Sequence, residues 1–164
     1  MRVIRKTIVT DINHEDLVNL FSTALTGSDM LGCDYDKDFW GLIDPEKRQG
    51  DCFEDRIADT LLNGGTVYMY DYYAEGELYG GKGELIEDSE DGEGDGMYAI
   101  TLKDVIEGLQ RAADGSFKWD EEYEKVEARE NFDNYVDEGD YGNFDLDMAE
   151  NLMQIIMFNE VVYA

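Results

Sequence analysis

Three times along this chain, a residue able to cap a helix is followed three positions on by an acid, then by apolar side chains at helical spacing. Asn13 precedes Asp16, Asp51 precedes Glu54, and Thr101 precedes Asp104. In such a box the cap accepts from the third helical N–H, and the acid reaches back to the N–H of the cap, so two orphan donors find partners at each start. The runs behind the caps are amphipathic: Leu17, Val18, Leu20, Phe21, Ala24 and Leu25; then Phe53, Ile57, Ala58, Leu61 and Leu62; then Leu102, Val105, Ile106, Leu109 and Ala112. Gly27, "NGG" at Asn63 to Gly65, and Gly115 supply the stops. Asn143 or Asp145 caps a further helix through Met148, Ala149, Leu152, Met153 and Ile156. Residues 119–130 read as another, through Trp119, Tyr123 and Val126.

Between these helices the period changes to two. "TVYMYDYYA" alternates Val67, Met69 and Asp71 with Tyr68, Tyr70 and Tyr72, the pattern of a strand with two different faces. "MYAI" at Met97–Ile100 reads as its pairing partner, "RVIRKTIV" at 2–9 as another strand, and "EVVY" at Glu160–Tyr163 as a closing one. Residues 28–50 read as irregular, anchored by Phe39 and Trp40. The stretch 76–96 is Gly-rich and acidic, an excursion with a short strand at Glu84–Ile86. The expected fold is α+β: one domain over 1–164, with a small, mostly antiparallel sheet and four to five helices packed on it.

Charge is what this fold must carry. Aspartate and glutamate total 40 against 13 lysines and arginines, a formal net charge of −27. Residues 1–82 hold 16 acids and 8 bases, a net of −8; residues 83–164 hold 24 and 5, a net of −19. A field of this sign repels nucleic acid and anionic membranes, so neither is an expected direct partner, and it attracts a basic protein surface. No stretch approaches a membrane span and no apolar export segment is recognisable, so the expected location is cytoplasmic, with Cys33 and Cys52 reduced.

Four stretches, "STALTGSDM", "IADTLLNGGTVYMYD", "YAITLKDVIEGLQRAADG" and "DMAENLMQIIMFNEVVYA", resemble a family of small acidic proteins of phages and integrative elements of gut Firmicutes. Ala24, Leu25 and Gly27 match the end of its first helix; Gly64, Gly65, Tyr70 and Asp71 match its Gly-Gly turn and Tyr-Asp strand end. Thr101, Leu102, Gly108 and Leu109 match its Thr-Leu helix, and Ala149, Gln154, Phe158, Glu160, Val161 and Tyr163 its last segment. The likeness covers about half of the chain. It departs at "DMLGCDY", where a Tyr-Trp pair is usual, at Asn159, where Gly is usual, and at the acidic 76–96 stretch, which looks like an insertion. The resemblance implies a mobile-element context, in which small acidic proteins block host defences, and assigns no activity and no site residue.

The carboxylates do not spell a metal cage. An EF-hand loop needs oxygen ligands at alternate positions, a glycine at the sixth and a bidentate glutamate at the twelfth. Counted from Asp34 those last two places hold Phe39 and Pro45; counted from Asp91 they hold Gly96 and Leu102. Zinc has no CxxC pair, and His14 is the one histidine. His14 reads as a solvent-facing residue of the first helical turn, and the two thiols as buried and inert. "GGKGE" at Gly80–Glu84 lacks the spacing of a phosphate loop and sits among acids. No catalytic, cofactor or metal residue is assigned, and the chain reads as a non-enzyme.

The acids themselves remain. Asp120, Glu124, Glu127, Glu130 and Asp133 recur at intervals of four, three, three and three, a slowly winding row on a helix with Glu121 beside it. Like charges at that spacing weaken a helix by a few tenths of a kcal/mol per pair, ~0.2–0.5. Lys125 and Arg129 offset part of this. With Asp137 and Glu138 the row forms one expected contact surface, and Asp88, Glu90, Asp91, Glu93 and Asp95 form a second. The expected role is a nucleic-acid mimic presenting these acids to the basic groove of a host defence nuclease of restriction or CRISPR type. The alternative is an adaptor that binds through the Tyr68–Tyr73 strand or an apolar helix face, its charge serving solubility only.

Overall fold

A computed structural model describes residues 12–86, 94–119, 126, 130, 132–135 and 145–163. Helix α1 spans His14–Leu25, strand β1 Leu31–Tyr35, helix α2 Lys37–Leu42, and a 3-10 turn Pro45–Lys47. Helix α3 spans Phe53–Leu62, β2 Val67–Asp71, β3 Glu84–Ile86, β4 Asp95–Ile100, α4 Leu102–Asp114 and α5 Leu146–Phe158. Val126, Glu130 and residues 132–135 are also helical. The four strands form one antiparallel sheet in the order β1-β2-β4-β3. The fold is α+β.

The caps work as their spacing demands. Asn13 Oδ1 accepts from Asp16 N at 2.9 Å and Asp16 Oδ2 accepts from Asn13 N at 3.1 Å, so α1 starts at His14. Thr101 N donates to Asp104 Oδ2 at 2.9 Å at the head of α4, and Gly115, in the left-handed region at φ 78°, ends that helix. Asp145, the second of the two candidates, caps α5 by accepting from Met148 N at 3.0 Å.

Helix α5 is the centre. Leu152, Met153, Ile155, Ile156, Met157 and Phe158 are all buried, so apolar side chains surround it on every side, as in a helix enclosed by its neighbours. It packs against α1 and α4. At Gly108 of α4 the approach is so close that an added Cβ would stand 2.6 Å from Ile156 Cα. Phe132, fully buried, and Tyr135, whose hydroxyl donates to Asp16 O at 3.1 Å, hold the helical residues 132–135 against the start of α1.

Four expectations are corrected here. Residues 28–50 are not irregular: β1 pairs with β2 from Leu31↔Asp71 to Tyr35↔Val67, and α2 and the 3-10 turn follow. The cap of α3 is Cys52 and not Asp51, because Asp55 and not Glu54 returns to the cap N–H, at 3.1 Å. Trp119 lies outside any helix. "EVVY" makes only an isolated bridge, Lys118↔Glu160, since Gln154 Oε1 accepts from both Val162 N and Tyr163 N and removes them from pairing. The expected strand at 2–9 lies outside the described residues.

Candidate partner-binding face

The pleat of β2 divides the sheet into two surfaces. Val67, Met69 and Asp71 point to the helices and are buried; Tyr98 and Ile100 of β4 join them. Tyr68 and Tyr70 point the other way and are half-buried. Across the sheet, Tyr70 stands between Gly32 of β1 and Met97 of β4, and Tyr68 between Asp34 and Ala99. Glu84 of β3 pairs with Met97 at the far margin.

Tyr72, just past the strand, folds back over Gly32: a Cβ there would strike its ring. Its ring stacks on Tyr70, with centroids 6.3 Å apart and planes 11° from parallel, and it remains 48% exposed. Burial raises the Tyr70 phenol above its ordinary value, with the charge of Asp34 adding to it; burial and then Asp95 do the same at Tyr72. The carboxylates of Asp34 and Asp95 are thus within electrostatic reach of the stacked pair, and both phenols are neutral at physiological pH. Beside Tyr68 lies a cavity of about 310 Å³ lined by Lys82, Gly83, Glu84, Met97 and Ala99.

Ten of the acids expected to contact a partner lie outside the described residues: Asp88, Glu90, Asp91, Glu93, Asp120, Glu121, Glu124, Glu127, Asp137 and Glu138. Three lie inside. Glu130 is exposed on helical backbone, Asp133 is half-buried and helical, and Asp95 opens β4 beside the tyrosines.

The three described arginines are engaged by rings, a hydroxyl and carbonyls. Arg48 stacks on the Trp40 ring at 4.0 Å and donates to the carbonyls of Trp40 and Gly41, each at 3.2 Å. Arg56 approaches the same ring, 4.8 Å from its centroid, and donates to the Tyr35 hydroxyl at 2.8 Å. Arg111 donates to Ile155 O at 3.1 Å. Each of these three arginines serves the fold through rings, a hydroxyl or carbonyls. Lys103–Glu107, at 3.8 Å and exposed, is the one lysine–carboxylate pair that the described residues form with each other.

His14 is not solvent-facing. Its side chain is 14% exposed, with Nε2 3.3 Å from Asp55 Oδ1 and 3.7 Å from Asp59 Oδ1, so it joins α1 to α3. The sequence signal was the Asp55/Asp59 pair one helical turn apart, which needed a tertiary neighbour to acquire meaning. Asp59, fully buried, also accepts from Gln49 N at 3.0 Å. Both cysteines are free thiols; Cys33 is half-buried, and burial and then Asp34 raise its thiol well above the ordinary value, whereas Cys52 is exposed, contrary to the expected burial.

Asp34, Asp36 and Asp38 are divided among β1, the cap of α2 and its first turn, where Asp36 Oδ1 accepts from Phe39 N at 3.0 Å. Among the described residues no group of three or more His, Cys, Asp or Glu side chains is placed to hold a metal ion. No described helix is long and apolar enough to cross a membrane. No protein-family model, no curated protein and no solved structure matches this chain.

Proposed function

We propose that this chain is a non-enzymatic mobile-element protein that binds a basic protein surface, the nucleic-acid groove of a bacterial host's defence nuclease being the partner its charge fits best. One observation carries the reading: 40 acids stand against 13 lysines and arginines, so an excess of 27 negative charges remains whatever internal pairing the cations make. Unneutralised charge costs stability through self-repulsion, and a partner of opposite sign recovers that cost on binding. The same field speeds encounter and rejects acidic competitors.

The test is binding to a basic nuclease at rising salt, with duplex DNA as competitor. Screening predicts a steep loss of affinity with salt and displacement by the DNA. Asp120→Asn, Glu124→Gln, Glu127→Gln and Glu130→Gln combined should weaken the complex at least tenfold, since each ~1.4 kcal/mol is a factor of ten. Binding indifferent to salt and to these changes would reject the reading. It would favour the adaptor alternative, to which the open tyrosine face of the sheet lends support.

A further inference from the structure

We infer that the outer face of the sheet is a docking surface for an arginine-bearing segment of the basic partner, with Tyr68, Tyr70 and Tyr72 as the stacking platform and Asp34 and Glu84 as the counter-charges. The inference rests on the reading of a basic partner and specifies where that partner touches and what it must carry. Three features converge on arginine. The Tyr70 and Tyr72 rings lie nearly parallel, Gly32 leaves room for Tyr72, and Tyr72 is largely open to a partner. A guanidinium is planar and stacks on such a ring while its N–H groups remain free for carboxylates. Those carboxylates stand at both margins: Asp34 pairs across from Tyr68 on β1, and Glu84 across from Met97 on β3.

The cavity next to Tyr68 supplies the third feature. Met97 and Ala99 make its floor apolar and Glu84 is on its wall, which suits the methylene stem of a long side chain with a cationic head. Lys82 also lines the cavity and repels a cation, so a cationic head would have to seat toward Glu84 and away from that ammonium. The molecule already uses this chemistry internally: Arg48 lies over Trp40 at 4.0 Å and Arg56 over Tyr35 at 5.9 Å. An aromatic sheet face also stacks nucleobases in single-strand binders, but there the flanking charge is positive, and here it is negative.

Equal-length oligoarginine and oligolysine peptides, titrated into the intact protein by fluorescence anisotropy, separate the outcomes. The expected result is ~10-fold tighter binding of the arginine peptide, from stacking that lysine cannot match. Tyr70→Leu with Tyr72→Leu should erase that preference while leaving a salt-sensitive residue of binding common to both peptides. Tyr70→Phe with Tyr72→Phe should keep it, and circular dichroism should show both double variants folded. Gly32→Ala keeps every tyrosine in the sequence and displaces the Tyr72 ring; it should reduce the preference. Equal affinity for the two peptides, or a preference that survives the leucine variants, overturns the docking surface and leaves the basic-partner reading standing. Failure of both peptides to bind at low salt overturns both. Tighter binding of a single-stranded oligonucleotide than of either peptide also overturns the docking surface.

Discussion

Tyr163→Phe tests how the C-terminal segment is held. Phenylalanine keeps the ring contacts with Tyr73 at 5.8 Å and Tyr79 at 6.0 Å, and removes only the hydroxyl that donates to Asp71 Oδ2 at 2.9 Å. Asp71 is fully buried, and its other oxygen accepts from Tyr73 N at 3.0 Å. A hydrogen bond to a charged group contributes about 1.5–3 kcal/mol. Losing about 2 kcal/mol in a chain of this size lowers Tm by roughly 4–8 °C. In an Asp71→Asn background the amide oxygen serves the Tyr73 N–H and the amide NH2 faces the Tyr163 oxygen, so the same ring change removes a neutral bond of about 0.5–1.5 kcal/mol. The double-mutant cycle should therefore show a coupling of about 1 kcal/mol. Urea unfolding of the four proteins, followed by circular dichroism at neutral pH, measures it. A Tyr163→Phe variant within about 0.5 kcal/mol of the parent would refute the reasoning, since that is the range of an inconsequential surface change.

The same aspartate sets a pH dependence. Burial raises Asp71 above its ordinary 3.8 and Glu150 above its ordinary 4.5, against the opposing hydrogen bonds from Tyr163 and Ser28. A raised acid binds its proton more tightly in the folded state, so its contribution is complete below the ordinary value and is lost as pH rises through the folded one. Self-repulsion acts in the same direction. Tm should rise on mild acidification from neutrality, and Asp71→Asn should flatten that rise; a Tm that falls steadily instead would contradict it. Gly108→Ala sets two terms against each other: helix propensity favours alanine by about 1 kcal/mol, while overpacking against Ile156 costs about 1–3 kcal/mol. Because the atom struck is the Ile156 backbone, 2.6 Å away, the cost should win. A lower urea midpoint at unchanged slope is expected, and a neutral or stabilised variant would show that α4 and α5 are not so closely apposed.

What was legible in the sequence was local. Asn13 with Asp16 and Thr101 with Asp104 name helix starts because a box satisfies donors within one turn, whatever the rest of the chain does. The alternation from Val67 to Asp71 likewise named its inner and outer faces. Strand β1 was hidden because Gly32 and Asp34 have poor strand propensity, and its identity comes from pairing with β2. Asp51 and Cys52 offered two registers for one start, with Glu54 and Asp55 as rival partners, and only the backbone geometry chooses between them. The role of His14 depends on side chains some forty positions away in α3, which periodicity does not reveal. Of the candidate site, the tyrosine file was visible and its carboxylate margins were not, since Asp34 and Glu84 meet the tyrosines only through the strand order β1-β2-β4-β3.

The central position of α5 bears on how this protein comes off the ribosome. Of the described helices and strands it is the last to be synthesised, yet it is the one the others enclose. Ser28, at the turn after α1, donates to Glu150 across 122 positions of sequence, so the partner of the first helix emerges only after nearly all the intervening chain. A nascent chain that has released α1 through α4 holds Leu20, Phe21 and Leu109 without the α5 side chains that share their core, and so has apolar surface to offer a chaperone until α5 arrives. Non-local closure of this kind slows folding and ties it to the emergence of α5.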